Sequence, residues 1–205
     1  MPRSTSDSGR PINVVSANNA SCEDLQVVFG TKGPAFRCQC QRYKLRPLEY
    51  FAGFPVEERA FRLRQQTECG HDDAPHTSGL VAYLGDEPVG WCAVEPRTAY
   101  PHLVANSRVP WLGRAEDKTD DSVWAVTCVF TRAGFRRRGV SYALVAAAVD
   151  HARQRGAKAL EGYPMTTTQA IDEELHVGIL SVFAAAGFAE VARPTLRRAV
   201  VRREF

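Results

Sequence analysis

Residues 123–156 constrain this chain more than any other stretch. An apolar run from Val123 to Thr131 leads into a basic turn carrying Gly134 and Gly139, and an alanine-rich segment follows as far as Gly156. The run predicts a strand with Trp124, Val126, Cys128 and Phe130 on one face and Ala125, Thr127, Val129 and Thr131 on the other. Both faces are mostly apolar or small, so the strand is expected at the centre of a sheet covered on both sides. The stripe Val140, Ala143, Leu144, Ala147 and Ala148 predicts a helix over 140–155, with Gly156 at its C′ position. A strand, a glycine turn and a helix start in that order bring several backbone N–H groups together. The helix dipole adds partial positive charge, and Arg136, Arg137 and Arg138 surround the point. The stretch is an anion site, and phosphate is the expected anion.

The rest of the chain supplies the context for one domain. Residues 12–15 predict a short strand. Ser21 predicts a helix cap, with Glu23 and Asp24 in the first turn and Gly30 near the end. Residues 31–54 have no clear period and are expected to be irregular, whereas Pro55 opens a second helix stopped by Gly70. A hairpin is expected from 79–84 and 88–94 around Gly85-Asp86-Glu87. Residues 97–122 are expected as a surface loop with a short helix near Pro101. A strand over 158–163 returns beside the central one, a helix runs from Leu175 to Gly187, and strands over 188–192 and 197–205 close the chain. The pattern is α+β (mixed α/β): a mixed, mostly antiparallel sheet of six to seven strands with helices on both faces.

Composition excludes some alternatives. With 205 residues the chain is long enough for one sizeable core, and 44% apolar with 24% charged residues is ordinary for a globular protein. A net charge of +3 is too small to imply a dedicated nucleic-acid binder, and no run has the length of a membrane span. Residues 1–11 read as a disordered tail without the apolar core of a signal peptide, which predicts a cytoplasmic protein. The six cysteines are therefore expected as free thiols. Cys38, Cys40, Cys69 and His71 form one constellation with zinc-ligand chemistry, but one residue between the paired ligands is tighter than structural zinc sites use. No metal is expected.

Two motifs resemble those of the GNAT superfamily of N-acetyltransferases. Arg136-Arg137-Arg138-Gly139-Val140-Ser141 is similar to that family's pyrophosphate loop, with Ser141 where glycine or alanine is usual. The spacing His176-x-x-Ile179-x-x-Val182-Phe183-x-x-x-Gly187-Phe188 is similar to its later helix. The resemblance covers the element order from about residue 79 onward. It implies acetyl-CoA as co-substrate, with pyrophosphate held by the N–H groups of Arg137 to Ser141 and by arginine charge, Arg136 included. It assigns pantetheine pairing and carbonyl polarisation to the backbone of Val129, Phe130 and Thr131, and contact with the pantetheine arm to His176. The implied acceptor is a small-molecule or peptide amine. Neither a nucleic-acid nor a membrane partner is implied, and the homodimers of many relatives extend to this chain as an expectation.

The departures bear on mechanism. Phe183 stands where many relatives carry a tyrosine acid, and Ala125 where some carry a glutamate base; neither can move a proton. Tyr163 and Glu161 alternate onto one face of the fifth strand and are the candidate acid and base, with His176 and Cys128 as rivals. The plainer reading is that Glu161 pairs with a nearby lysine or arginine and Tyr163 is a strand-end aromatic. Glu95 is a further candidate for the acceptor side. No thiol stands out as a nucleophile, Cys128 being the only candidate, so the resemblance implies direct transfer in a ternary complex. The alternatives are a CoA-binding sensor module with lost catalysis and, last, a basic nucleic-acid-binding domain.

Overall fold

The computed structural model describes residues 11–205; the expected tail over 1–11 falls, but for Pro11, outside the described residues. Among the described residues, seven strands form one sheet: β1 (Ile12–Ser16), β2 (Gly79–Leu84), β3 (Glu87–Pro96), β4 (Val123–Thr131), β5 (Ala159–Gly162), β6 (Ala189–Thr195) and β7 (Arg198–Glu204), in the order β1-β2-β3-β4-β5-β7-β6. Every neighbouring pair is antiparallel except β4 and β5. That one parallel pair follows from the crossover through α5 (Val140–Gln154), because a helix between two strands returns the chain in the same direction. No described helix is long and apolar enough to cross a membrane.

Helices cover both faces. On one side α5 buries Val140, Leu144, Val145, Ala148, Val149 and Ala152 against strand residues that include Leu80, Cys92, Val126 and Val129. Gly90 lets this helix approach, since a Cβ there would stand 2.7 Å from Val140 Cγ1. The other side carries a second core with residues of α1 (Cys22–Phe29) and α3 (Val56–Thr67), namely Leu25, Val28, Phe29 and Leu63, packed with Trp91 and Cys128. Ser21 caps α1 as its sequence predicts, its hydroxyl accepting from the Asp24 N–H at 3.0 Å.

Four expectations are corrected. First, the faces of β4 do not alternate strictly. Ala93 pairs with Cys128 but the next residue, Val94, pairs with Val126, so Thr127 is an extra residue in a β-bulge. The bulge shifts the phase: Val129 joins Trp124 and Val126 under α5, while Cys128 turns to the opposite core. Second, the helix expected from Leu175 is broken into α6 (Asp172–Leu175) and α7 (Leu180–Ala185), with Gly178 at φ +79° and Ile179 extended between them. The break lets the Phe183 ring lie against two glycines: a Cβ at Gly162 would come within 2.3 Å of it and one at Gly178 within 2.8 Å.

Third, residues 97–122 are more than surface. They contain α4 (Pro101–Ala105) and two 3-10 turns, and they bury Arg97, Leu103 and Trp111. Fourth, Cys22 and Cys69 form a disulfide with Cα atoms 5.1 Å apart, against the expectation that all six thiols are free. It joins the start of α1 to the chain just past α3 and closes a loop of 47 residues. The chain-entropy account assigns such a closure about 4 kcal/mol.

Candidate functional site

β4 and β5 stay paired only to Val126↔Gly162, and β4 then continues to Thr131 paired with β3 alone. A cleft of about 890 Å³ opens along this free end of β4. Its floor includes Cys128, Val129, Phe130 and Thr131, and one wall comes from α2 (Gly33–Cys38) and the turn after it. The opposite wall is the segment from Asp172 to Val182, and the far end holds Arg136, Arg137 and Ser141.

The far end has the chemistry of an anion cradle. Arg137, Gly134 and Gly139 all have positive φ (63°, 92° and 83°), which curls the turn beneath the start of α5. Gly139 is the N-cap and supplies no side-chain cap, so the first-turn N–H groups lack a side-chain acceptor there. Arg136 and Arg137 are exposed. Arg136 reaches across to Asp172 at 3.1 Å, and from the α2 wall Arg37 reaches Glu173 at 2.9 Å. Acidic α6 is thus tied to two cations at the cleft mouth. Of the residues expected to hold a cofactor, Val129, Phe130, Thr131, Arg136, Arg137, Ser141 and His176 line this one cleft. Arg138, Gly139 and Val140 are not among its lining residues: Arg138 lies over the Phe135 ring and Val140, the first residue of α5, is turned into the core.

His176 is held in one tautomer. Its Nδ1 is 2.6 Å from the Glu173 carbonyl oxygen, which can only accept, so Nδ1 carries the hydrogen and Nε2 the lone pair. Nε2 is buried and has no partner among the described residues. Burial pushes the pKa down to about 4, so the ring is neutral at physiological pH. The His176 carbonyl accepts from the Val129 N–H at 2.6 Å, and Gly178 and Leu180 bond to the Met165 backbone at 2.9 and 2.8 Å. Residues 176–180 therefore fill the opening between β4 and the chain beyond β5.

Sequence reasoning missed a thiol pair. Cys40 follows α2 in a turn where Gln39 and Cys40 are both left-handed, at φ 46° and 52°. Buried amides hold that turn: Gln39 Nε2 donates to the Phe36 carbonyl at 3.0 Å, and Gln41 Nε2 donates to Gln66 Oε1 at 2.8 Å. The Cys40 sulfur accepts from Trp91 Nε1–H at 3.3 Å, and Cys40 packs against the core that holds Cys128. The Cys128 contact, the Trp91 donor and nearby Lys44 bring the Cys40 pKa down against burial, while Cys128, donating to Cys40 and buried, is raised well above the ordinary thiol value. The bulge at Thr127 delivers Cys128 here, and no sequence period announces it.

Glu161 and Tyr163 lie elsewhere. Neither lines the cleft, and their side chains are buried at 0% and 1% exposure. Glu161 is paired with Arg114, with Arg97 Nη1 at 3.3 Å and with Arg202 Nη1 at 3.3 Å, and it accepts from the Tyr163 hydroxyl at 3.1 Å. Burial, with Glu161 beside it, holds the Tyr163 phenol well above its ordinary pKa. This placement removes both from contact with anything in the cleft, and the plainer reading of Glu161 as an ion-pair partner describes the geometry. Glu95 is paired with Lys44, whose ammonium lies 4.6 Å from the Tyr100 ring centroid. Phe183 is fully buried and also lies outside the cleft lining. Cys69 is committed to its disulfide, so Cys38, Cys40, Cys69 and His71 do not assemble, and no metal-binding cluster occurs among the described residues.

The fold and cleft find their place among known proteins. The sequence model of the acetyltransferase (GNAT) family matches residues 42–171, more than half of the chain, and the protein belongs to that family. No curated protein matches it. Among solved structures it is similar to an N-acetyltransferase from Staphylococcus aureus Mu50, at 10% identity over 95% of this chain and 98% of that one, with a TM-score of 0.54. It is also similar to a ribosomal-protein-alanine N-acetyltransferase from Brucella melitensis, at 15% identity, 95% and 99% coverage and a TM-score of 0.52. A third likeness is to a Salmonella typhimurium protein whose structure holds its cofactor acetyl-CoA, at 12% identity, 94% and 93% coverage and a TM-score of 0.52. At these identities the likeness is one of fold.

Proposed function

We propose that this protein is an acetyl-CoA-dependent N-acetyltransferase that moves the acetyl group to a primary amine by direct transfer in a ternary complex. The observation that carries the reading is the single cleft that joins the Arg136–Ser141 turn to the free end of β4 and to His176. The exposed arginines and helix start suit the pyrophosphate. The β4 backbone beyond the split suits the pantetheine arm and polarisation of the acyl carbonyl. His176, neutral with a free Nε2 lone pair, suits an acceptor for an amide N–H of that arm. Membership of the acetyltransferase family and the acetyl-CoA held by the Salmonella protein support the choice of co-substrate.

Two observations favour a second reading, a CoA-responsive module without turnover. The Val129 N–H that would serve the ligand already bonds the His176 carbonyl, and Phe183 supplies no acid. The two readings separate in one experiment. A thermal-shift series with acetyl-CoA and other acyl-CoAs is followed by an amine panel scored by CoA release and product mass. At a hundredfold excess over Kd, binding contributes about 2.7 kcal/mol, which a melting curve resolves. Stabilisation with turnover on an amine is the expected result. Stabilisation without turnover on any amine supports the module, and no response to any acyl-CoA removes both.

A further inference from the structure

Cys40 and Cys128 belong to elements far apart in sequence, yet both line the one cleft, and Cys40 packs against the core that holds Cys128 and Trp91. The chain sustains this placement at a cost. Two consecutive non-glycine residues, Gln39 and Cys40, are left-handed, a conformation that L side chains disfavour. The buried amides of Gln39 and Gln41, the latter bonded to Gln66, hold that turn. On the other side, a bulge turns Cys128 out of the α5 core and toward Cys40. Fully buried Trp91 has its indole N–H aimed at the Cys40 sulfur, an acceptor that strengthens when ionised.

We propose that Cys40 and Cys128 are a peroxide-reactive thiol pair whose oxidation cross-links the α2 wall of the cleft to its β4 floor. The ligand class is a small hydroperoxide, hydrogen peroxide being the simplest. The Cys40 thiolate attacks one peroxide oxygen. An S–O bond forms as the O–O bond breaks, and the departing hydroxide is protonated to water, leaving a sulfenic acid on Cys40. Cys128, which gives up its proton, then attacks the Cys40 sulfur. The S–S bond forms as the S–O bond breaks, and hydroxide leaves as a second water. Two thiols lose two electrons, and the peroxide is reduced to two waters. Cys40 is the attacking sulfur because its two donors and Lys44 favour its thiolate, whereas Cys128 is the one that holds its proton.

The bond brings the two sulfurs to about 2.0 Å. It fixes the wall to the floor next to Val129, where the acyl arm is placed by the proposed function, on which this consequence rests. Oxidation therefore weakens acetyl-CoA binding, and bound acetyl-CoA shields the pair.

The test uses the full chain and hydrogen peroxide, read by non-reducing peptide mass mapping. Four cysteines are free at the start: Cys38, Cys40, Cys92 and Cys128. The expected result is loss of two of these thiols, a Cys40–Cys128 link, and recovery of both with dithiothreitol. Cys128→Ser is expected to trap Cys40 as a dimedone-reactive sulfenic acid, and Cys40→Ser to leave Cys128 unmodified. A link from either residue to Cys38 or Cys92, or thiols untouched by peroxide, overturns the pair. The wild-type map needs no variant to fold. Acetyl-CoA thermal shift is then compared before and after oxidation. A reduced shift restored by dithiothreitol is expected, and an unchanged shift with the cross-link in place overturns the effect on binding. Failure of the reduced protein to respond to acetyl-CoA counts against the proposed function, while the peptide map still decides the thiol pair.

Discussion

Two groups of ionisable side chains sit a few residues apart along β4, and they follow opposite rules. Glu161, opposite Ala125 in register, is a buried anion with three arginines and a phenol aimed at its two oxygens. Beyond the bulge, the cleft group of Cys40, Cys128 and His176 contains a neutral imidazole with a bare nitrogen and two thiols packed in one core. Satisfied charge is structural: taking ions from water costs several kcal/mol each, and only complete pairing offsets it. Unsatisfied groups that line a cavity keep bonding capacity for a ligand. The lesson is that the strongest-looking acid and base need not be where chemistry occurs.

The comparison breaks most visibly at Glu161. Glu161→Gln leaves Arg97 buried beside a neutral amide, and by the usual cost of breaking a buried pair it destabilises the fold by about 3–5 kcal/mol. For a chain of this size that is on the order of a 10 °C fall in Tm. The acetyl-CoA response of the folded fraction is expected to persist. A variant with unchanged Tm and abolished turnover would return Glu161 to the catalytic list.

The pH dependence sharpens the other half. Burial holds His176 down to about 4, and burial with Arg155 nearby holds His151 there too, from an ordinary value of 6.5. The unfolded chain therefore binds more protons than the native one between those values. Stability is full above about 6.5, falls as the pH drops toward about 4, and is level below that as far as these groups are concerned. Melting curves across that window are expected to show the slope, and His151→Gln with His176→Asn to flatten it. The smallest effect is at the cleft mouth. Asp172→Asn releases Arg136 from an exposed pair worth at most about 1 kcal/mol. Titration calorimetry is expected to show acetyl-CoA binding tightened by up to about fivefold, and more so at low salt. No change would mean that Arg136 does not face the ligand.

Much of the fold was legible because it is written in local patterns. The run 123–131, the arginine–glycine turn, the 140–155 stripe and the 79–94 hairpin each announce one element, and their order sets the sheet. The anion end of the cleft was legible for the same reason. Elements fixed by distant contacts were not. The break at Gly178 depends on the Phe183 ring needing room against Gly162, and the buried role of residues 97–122 depends on Arg97 reaching Glu161. The disulfide joins residues separated by 47 positions without a spacing that marks them. The Cys40–Cys128 contact required two things no periodicity carries, a left-handed turn and a bulge.

Thr127 gives β4 a change of parity. A strand is a two-state code in which odd and even positions are assigned to opposite faces, and one supernumerary residue inverts every assignment downstream while leaving those upstream intact. Val126 and Val129 can thus both serve the α5 core, and the chain can devote the intervening Cys128 to the cleft. Flattening that bulge, with Thr127 paired in the ladder, would not merely straighten the strand. It would exchange the inward and outward alphabets of its last four residues, putting a thiol under the helix and a valine in the opposite core.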